Sequence, residues 1–153
     1  MRPEKESSPM DWQNELLTFC QELIRIPSLS GEEAAVARLV TAKMFALGFE
    51  QVHGDDYGNI IGVRHGSQPG ATVLFDGHMD VVPATTPEQW RHEPFGGEIE
   101  AGRVWGRGAA DTKGALAAML FAAGRLPPSA FSGRIIMAAS VCEENLTGAA
   151  LSH

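Results

Sequence analysis

One histidine and four carboxylates stand at the ends of predicted strands or in the adjoining loops, where they could bind divalent metal ions. These residues are His78, Asp80, Asp111, Glu143 and Glu144. Imidazole nitrogens and carboxylate oxygens are ligands that suit divalent ions such as zinc. His78 and Asp80 are two residues apart and point the same way in an extended chain, so the carboxylate could hold the second ring nitrogen of the histidine.

Each of these residues also has an ordinary structural interpretation. His78 could be a hydrogen-bonding residue after a strand, and Asp111 could be the N-cap of the helix that follows it. Glu143 and Glu144 could form a solvated pair, although one of them must lie near the core because a largely apolar run precedes them. Their combination, and not any single residue, indicates a metal site.

The first third of the chain predicts two amphipathic helices that each pack one face on a sheet. The first has Asp11 as its N-cap and ends at Pro27, which cannot continue a helix. The second opens with Ser30 and Glu33 at the spacing of a capping box and closes at Gly48 as a C-cap.

The rest of the chain alternates strand-like and helical segments. Strands are predicted at 58–64 and 71–75, and the apolar run 134–142 predicts a strand that is buried on both faces. Residues 82–107 are rich in Pro, Gly and Trp and indicate long ordered loops, and a helix of small residues follows at 113–124. This alternation predicts an α/β layered domain with a central sheet.

Composition and charge restrict the class of protein. The 153 residues are 44% hydrophobic and 20% charged, which is typical of one globular domain. A net charge of −7 without a basic face argues against nucleic-acid binding. No apolar stretch approaches the roughly 20 residues of a membrane span, and residues 1–10, which we expect to be a disordered polar leader, do not resemble a secretory signal. Cys20 and Cys142 fit buried thiols better than a disulfide framework, so we expect a cytoplasmic location.

Three motifs in order resemble those of the M20 metallopeptidase family. They are Gly77-His-Met-Asp-Val-Val-Pro83, Gly106-Arg-Gly-Ala-Ala-Asp-Thr-Lys-Gly114, and Glu143-Glu144, with the segment Trp90-Arg-His-Glu-Pro-Phe95 between the first two. The family includes acetylornithine deacetylase, succinyl-diaminopimelate desuccinylase, glutamate carboxypeptidases, aminoacylases and dipeptidases. The resemblance covers nearly the whole chain and says almost nothing about the substrate.

The resemblance implies a three-layer αβα fold with a central mixed sheet and a site for two divalent ions, zinc by preference and cobalt or manganese as alternatives. His78 would bind one ion, Asp111 would bridge both, and Glu144 would bind the other. Asp80 would orient His78, and Glu143 would be the general base. It also implies a cis peptide bond between Asp111 and Thr112, although Thr112 departs mildly from the family pattern.

The implied reaction is metal-assisted hydrolysis of an amide in a small N-acyl amino acid or short peptide. Family members are much longer than this chain. They carry a further carboxylate ligand, a histidine ligand near the C-terminus, and an inserted second domain used for dimerisation, so the parent protein is expected to be a homodimer. Residues 11–153 would then be the N-terminal part of a truncated catalytic domain.

Two alternatives remain from other functional classes. The chain could be a catalytically incompetent fragment or pseudoenzyme, because two protein ligands per ion are fewer than the three that catalytic zinc sites usually have. It could also be an α/β binding module without a metal, but then the three ordered motifs would be a coincidence.

Overall fold

The structure is a computed structural model that describes residues 9–145. Three helices, α1 (Pro9–Arg25), α2 (Ala34–Ala46) and α3 (Gly114–Arg125), combine with six strands. The strands are β1 (Glu50–Gly54), β2 (Ile60–His65), β3 (Gln68–His78), β4 (Glu98–Glu100), β5 (Arg103–Trp105) and β6 (Ser132–Ser140). Residues 1–8 of the predicted leader and 146–153 of the predicted domain lie outside the described range.

Four of the strands form a mixed sheet in the order β1-β2-β6-β3. β2 pairs antiparallel with β1 and with β6, whereas β3 runs parallel to β6. The parallel pair matters most for function, because it brings the carboxyl ends of β3 and β6 to the same edge of the sheet. The predicted α/β class with a mixed central sheet is confirmed.

All three helices contribute to one hydrophobic core on a single face of the sheet. Phe19 and Leu23 of α1, Val40 of α2 and Leu120 of α3 are fully buried there with Met137 of β6. On the opposite face the described residues place no helix: Ile136 and Ala138 are only partly buried. The prediction that this strand is buried on both faces is therefore wrong for the described part of the chain, which supplies one helical layer and the sheet.

The ends of the first two helices differ partly from the predictions. α1 begins at Pro9, so Asp11 lies in its first turn and is not its N-cap. α2 ends as expected, with Gly48 at φ +75° and N–H bonds from Gly48 to the Phe45 carbonyl and from Phe49 to the Met44 carbonyl. Its beginning does not match, because Glu33 precedes the helix without a side-chain capping bond.

Two small sheet elements were not anticipated. β1 is a short, mostly exposed strand, and β4 and β5 form a separate hairpin inside the predicted loop 82–107. Their residues are too polar or too few to show a clear alternation of apolar and polar positions. Between residues 9 and 145, no helix has the length and apolar character that a membrane crossing requires.

Candidate metal centre

The parallel pairing of β3 and β6 brings two of the three sequence motifs together. His78, the last residue of β3, is paired with Ser140, the last residue of β6. The chain after β3 reaches Asp80 in two residues, and the chain after β6 reaches Glu143 in three. The strand register thus sets the two motifs side by side at one edge of the sheet.

His78 is held in one orientation by its neighbours. Its Nδ1 lies 2.9 Å from the backbone carbonyl oxygen of Asp80, and since a carbonyl can only accept, Nδ1 carries a proton. Its Nε2 faces carboxylates, with Asp111 Oδ1 at 3.0 Å and Glu143 Oε2 at 3.7 Å. A ring nitrogen among acceptors needs either a second proton or a metal ion at that position.

The groups around His78 also favour a positive charge on its ring. Burial lowers the pKa of His78, but the hydrogen bonds to Asp111 and to the Asp80 carbonyl, together with the charges of Asp80 and Glu143, outweigh it. The pKa of this imidazole is therefore raised above its ordinary value in the protein without bound metal. A cation at Nε2 is stabilised by the same carboxylates.

The remaining motif, Gly106-Arg-Gly-Ala-Ala-Asp-Thr-Lys-Gly114, enters the site through a constrained turn. Gly108 has φ +80°, and a Cβ there would lie 2.6 Å from Val81 Cγ1, so only glycine fits. Asp111 has an extended conformation between helical neighbours, and its peptide bond to Thr112 is cis, as the family resemblance predicts. The turn leaves the Asp111 carboxylate exposed next to His78.

Lys113 fixes the other end of this turn. It is fully buried, and its Nζ donates to the carbonyl oxygens of Leu23 at 2.9 Å and Ile26 at 2.7 Å, near the end of α1. Burial lowers the pKa of Lys113 to about 8, although the charge of Asp80 acts in the opposite direction. The turn that carries Asp111 is thereby tied to the first helix.

Asp80 is fully buried and organises the site through several hydrogen bonds. Its Oδ2 accepts from Ser30 Oγ at 2.7 Å and from the Glu144 N–H at 3.0 Å, and its Oδ1 accepts from the Glu143 N–H at 3.1 Å. Burial raises the pKa of Asp80, but these bonds outweigh it and the pKa is lowered. The carboxylate therefore remains ionised at neutral pH.

The predicted ligand residues come together. One ligand atom from each of His78, Asp111 and Glu144 can be chosen so that all three atoms lie within 4.8 Å of one another. Glu143 lies beside this cluster with its side chain half exposed. One imidazole nitrogen and two carboxylates fit a divalent ion such as zinc, and the crowding of carboxylates around one imidazole favours a cation there.

The geometry refines one sequence prediction and exposes a wrong one. Asp80 reaches His78 Nδ1 mainly through its backbone carbonyl at 2.9 Å, while its carboxylate is 3.5 Å away and holds the turn at Glu143 and Glu144. Ser30 and Glu33 do not form a capping box, because Ser30 donates to Asp80 and Glu33 accepts from Cys142. Because these partners from other parts of the chain occupy both side chains, neither side chain caps α2.

Sequence reasoning missed the residues that support the site from outside the three motifs. Asn59 accepts from the Val141 N–H at 3.0 Å, and its own side-chain nitrogen donates to Asp55 at 2.8 Å. Asp55 also accepts from three backbone N–H groups of its turn, a pattern that the spacing Asp-x-x-Gly-Asn could have indicated.

Comparisons with known proteins agree with this geometry. The profile of Peptidase family M20/M25/M40 matches residues 74–152. Succinyl-diaminopimelate desuccinylase of Blochmanniella floridana is 38% identical over 113 residues, which cover 71% of this chain and 29% of the desuccinylase. The chain therefore spans less than a third of that relative.

Solved structures give the same fold. The M20 family metallo-carboxypeptidase Sso-CP2 of Sulfolobus solfataricus aligns with a TM-score of 0.68 at 25% identity, over 82% of this chain and 30% of the carboxypeptidase. The YXEP protein of Bacillus subtilis, described as a dinuclear metal-binding peptidase, aligns with a TM-score of 0.67 at 17% identity, over 90% of this chain and 37% of YXEP. With the family profile matching more than half of its residues, this chain belongs to Peptidase family M20/M25/M40.

Proposed function

We propose that the complete protein is a metal-dependent hydrolase that cleaves an amide bond in a small N-acyl amino acid or a short peptide. The convergence of ligand atoms from His78, Asp111 and Glu144, with Glu143 beside them, carries this proposal. The desuccinylase and the carboxypeptidase to which the chain is similar support the same class of reaction.

In this proposal His78 and Asp111 would hold one divalent ion, and Asp111 and Glu144 would hold a second one. Zinc is the first choice, and cobalt and manganese suit the same donors. When bound, such ions polarise the scissile carbonyl and make a water molecule acidic enough to attack near neutral pH. The dinuclear description of YXEP is consistent with two ions.

Glu143 acts as the general base and then as the general acid. It takes a proton from the attacking water as the new C–O bond forms, and it returns that proton to the leaving nitrogen as the C–N bond breaks. Its exposed carboxylate can reach a substrate, whereas the buried Asp80 positions the backbone of the Glu pair. Water and amide are thereby converted to a carboxylic acid and an amine without an outside proton donor.

We also propose that the 153-residue polypeptide is inactive by itself and that the complete protein is a homodimer. In the part of the chain that the structure describes, the cluster offers three ligand residues for two ions. Catalytic zinc sites usually have three protein ligands for each ion, so further ligands must come from outside this cluster.

The test is hydrolysis of N-acetyl amino acids, N-succinyl amino acids and dipeptides by the complete protein, with metal content measured in parallel. Chelation should abolish turnover, and zinc, cobalt or manganese should restore it. Glu143→Gln should lower kcat at least 100-fold with metal still bound, since general acid-base catalysis contributes about 10²–10⁴-fold to the rate. Glu32→Gln alters an exposed carboxylate and is the matched control.

Turnover by the metal-free protein, or by Glu143→Gln at the wild-type rate, would overturn the proposed function. Turnover by the 153-residue polypeptide alone would contradict the proposal that it is inactive.

A further inference from the structure

The turn that carries Glu143 and Glu144 is held by side chains from three other parts of the chain. Its four consecutive backbone N–H groups each donate to a side-chain oxygen: Val141 to Asn59 Oδ1 at 3.0 Å, Cys142 to Glu33 Oε1 at 3.0 Å, Glu143 to Asp80 Oδ1 at 3.1 Å and Glu144 to Asp80 Oδ2 at 3.0 Å. The backbone conformation of this turn is therefore held by side chains that lie outside the turn.

The turn needs such support because strand pairing ends at Ser140. Backbone N–H groups that leave a sheet beside a buried core need other acceptors. Cys142 adds a second difficulty, since its φ of +56° lies in the left-handed region, which is unfavourable for a residue with a Cβ. The conformation at Cys142 is therefore maintained by its contacts and not by its own preference.

Glu33 provides the contact at this strained position. Glu33 is only 5% exposed. It stands at the start of α2, where a carboxylate could cap the helix. Its Oε1 instead accepts from the Cys142 N–H and lies 3.6 Å from the Cys142 Sγ. Burying a carboxylate is costly unless its hydrogen bonds compensate, and these bonds go to the turn.

We propose that Glu33 is a positioning residue for the reaction proposed above. By holding Cys142 in its left-handed conformation, Glu33 directs the side chains of the next two residues, Glu143 and Glu144, toward His78. Glu33 touches neither the substrate nor the ions, and it acts through the backbone. This inference rests on the proposed roles of Glu143 and Glu144.

The test compares Glu33→Ala, Glu33→Gln and Glu32→Ala in the complete protein at saturating metal, far below the unfolding temperature. Glu33→Ala should lower kcat at least tenfold with KM within twofold of wild type, because the general base is misdirected while substrate binding is retained. Glu33→Gln should recover most of kcat, since the amide oxygen still accepts from Cys142. Glu32→Ala, which changes the exposed neighbour, should match wild type.

The outcomes separate this inference from the proposed function. A Glu33→Ala variant with wild-type kcat, alongside an inactive Glu143→Gln variant, would overturn the inference and leave the function intact. An active Glu143→Gln variant would overturn the function itself. If Glu33→Ala does not fold, Glu33→Asp replaces it: the shorter carboxylate should lower kcat at constant KM, and an unchanged kcat would overturn the inference.

Discussion

The carboxylate of Asp80 accepts the backbone N–H of Glu144 at 3.0 Å, although 64 positions of the sequence separate the two residues. The same carboxylate also accepts from the Glu143 N–H and from the Ser30 hydroxyl. One buried carboxylate therefore holds the backbone of both glutamates, together with Ser30 of another part of the chain.

Asp80→Asn should disrupt this arrangement with little change in side-chain volume. The amide can accept through one atom only, so its NH₂ group would face a backbone N–H that also donates. We expect metal affinity or kcat/KM of the complete protein to fall about 10- to 100-fold, the usual effect of losing a residue that orients metal ligands.

Asp76→Asn is the matched control for Asp80→Asn, because Asp76 is an exposed carboxylate on β3, the strand that ends two residues before Asp80. Metal titration and steady-state kinetics should show wild-type behaviour for it. Equal metal affinity and kcat/KM in Asp80→Asn and wild type would show that the hydrogen bonds of Asp80 are dispensable.

Lys113 predicts a pH-dependent contribution to stability. Its pKa is lowered from 10.5 to about 8 in the folded protein, so between these values the unfolded chain binds a proton that the folded chain has released. The free energy of unfolding should therefore rise with pH across this window, with a contribution of up to about 1.4 kcal/mol per pH unit from one proton.

Urea unfolding of the metal-free protein at several pH values measures this slope. In Lys113→Met the contribution should be absent, so the difference between the two curves isolates the lysine. Parallel curves for wild type and Lys113→Met across the window would contradict the lowered pKa.

The outer face and edge of β3 predict self-association of the 153-residue polypeptide. β3 is an edge strand among the described residues, and Leu74 on it is 62% exposed, with Val73 and Phe75 exposed beside it. Unpaired strands with apolar side chains readily pair with other chains. Leu74→Lys should therefore increase the monomer fraction in size-exclusion chromatography with light scattering.

Phe45→Lys provides the comparison, because Phe45 is 60% exposed on α2 and away from the strand edge. It should leave association nearly unchanged. A similar gain of monomer from both variants would point to general hydrophobicity and not to the strand edge.

The sequence predicted the parts of the fold whose residues carry a strong local pattern. The apolar runs before His78 and Glu143 correctly indicated strands β3 and β6, and Pro27 and Gly48 marked the ends of two helices. β1 was missed because Val52 is its only large apolar residue, so no alternation is visible. The β4–β5 hairpin was missed because its strands have three residues each.

The sequence motifs predicted the candidate ligand residues of the site, but they did not predict the side chains that hold those residues in place. His78, Asp111 and Glu144 could be named from their order, and the structure brings them together. Ser30 and Glu33 were misassigned because Ser-x-x-Glu is the pattern of a capping box, and only tertiary contacts decide between the two uses. The anchoring of Lys113 to α1 leaves no periodic signal at all.

The bond between Glu33 and Cys142 joins residues 109 positions apart, and this separation has a consequence for biosynthesis. Glu33 leaves the ribosome long before Cys142 has been translated, so the growing chain carries this carboxylate without its hydrogen-bond donor. The turn that carries Glu143 and Glu144 can form only after β6 has emerged and paired with β3. With the proposed ligand set, which includes Glu144, metal capture would therefore come late in synthesis, and a nascent chain halted before residue 140 should emerge without a functional ion site.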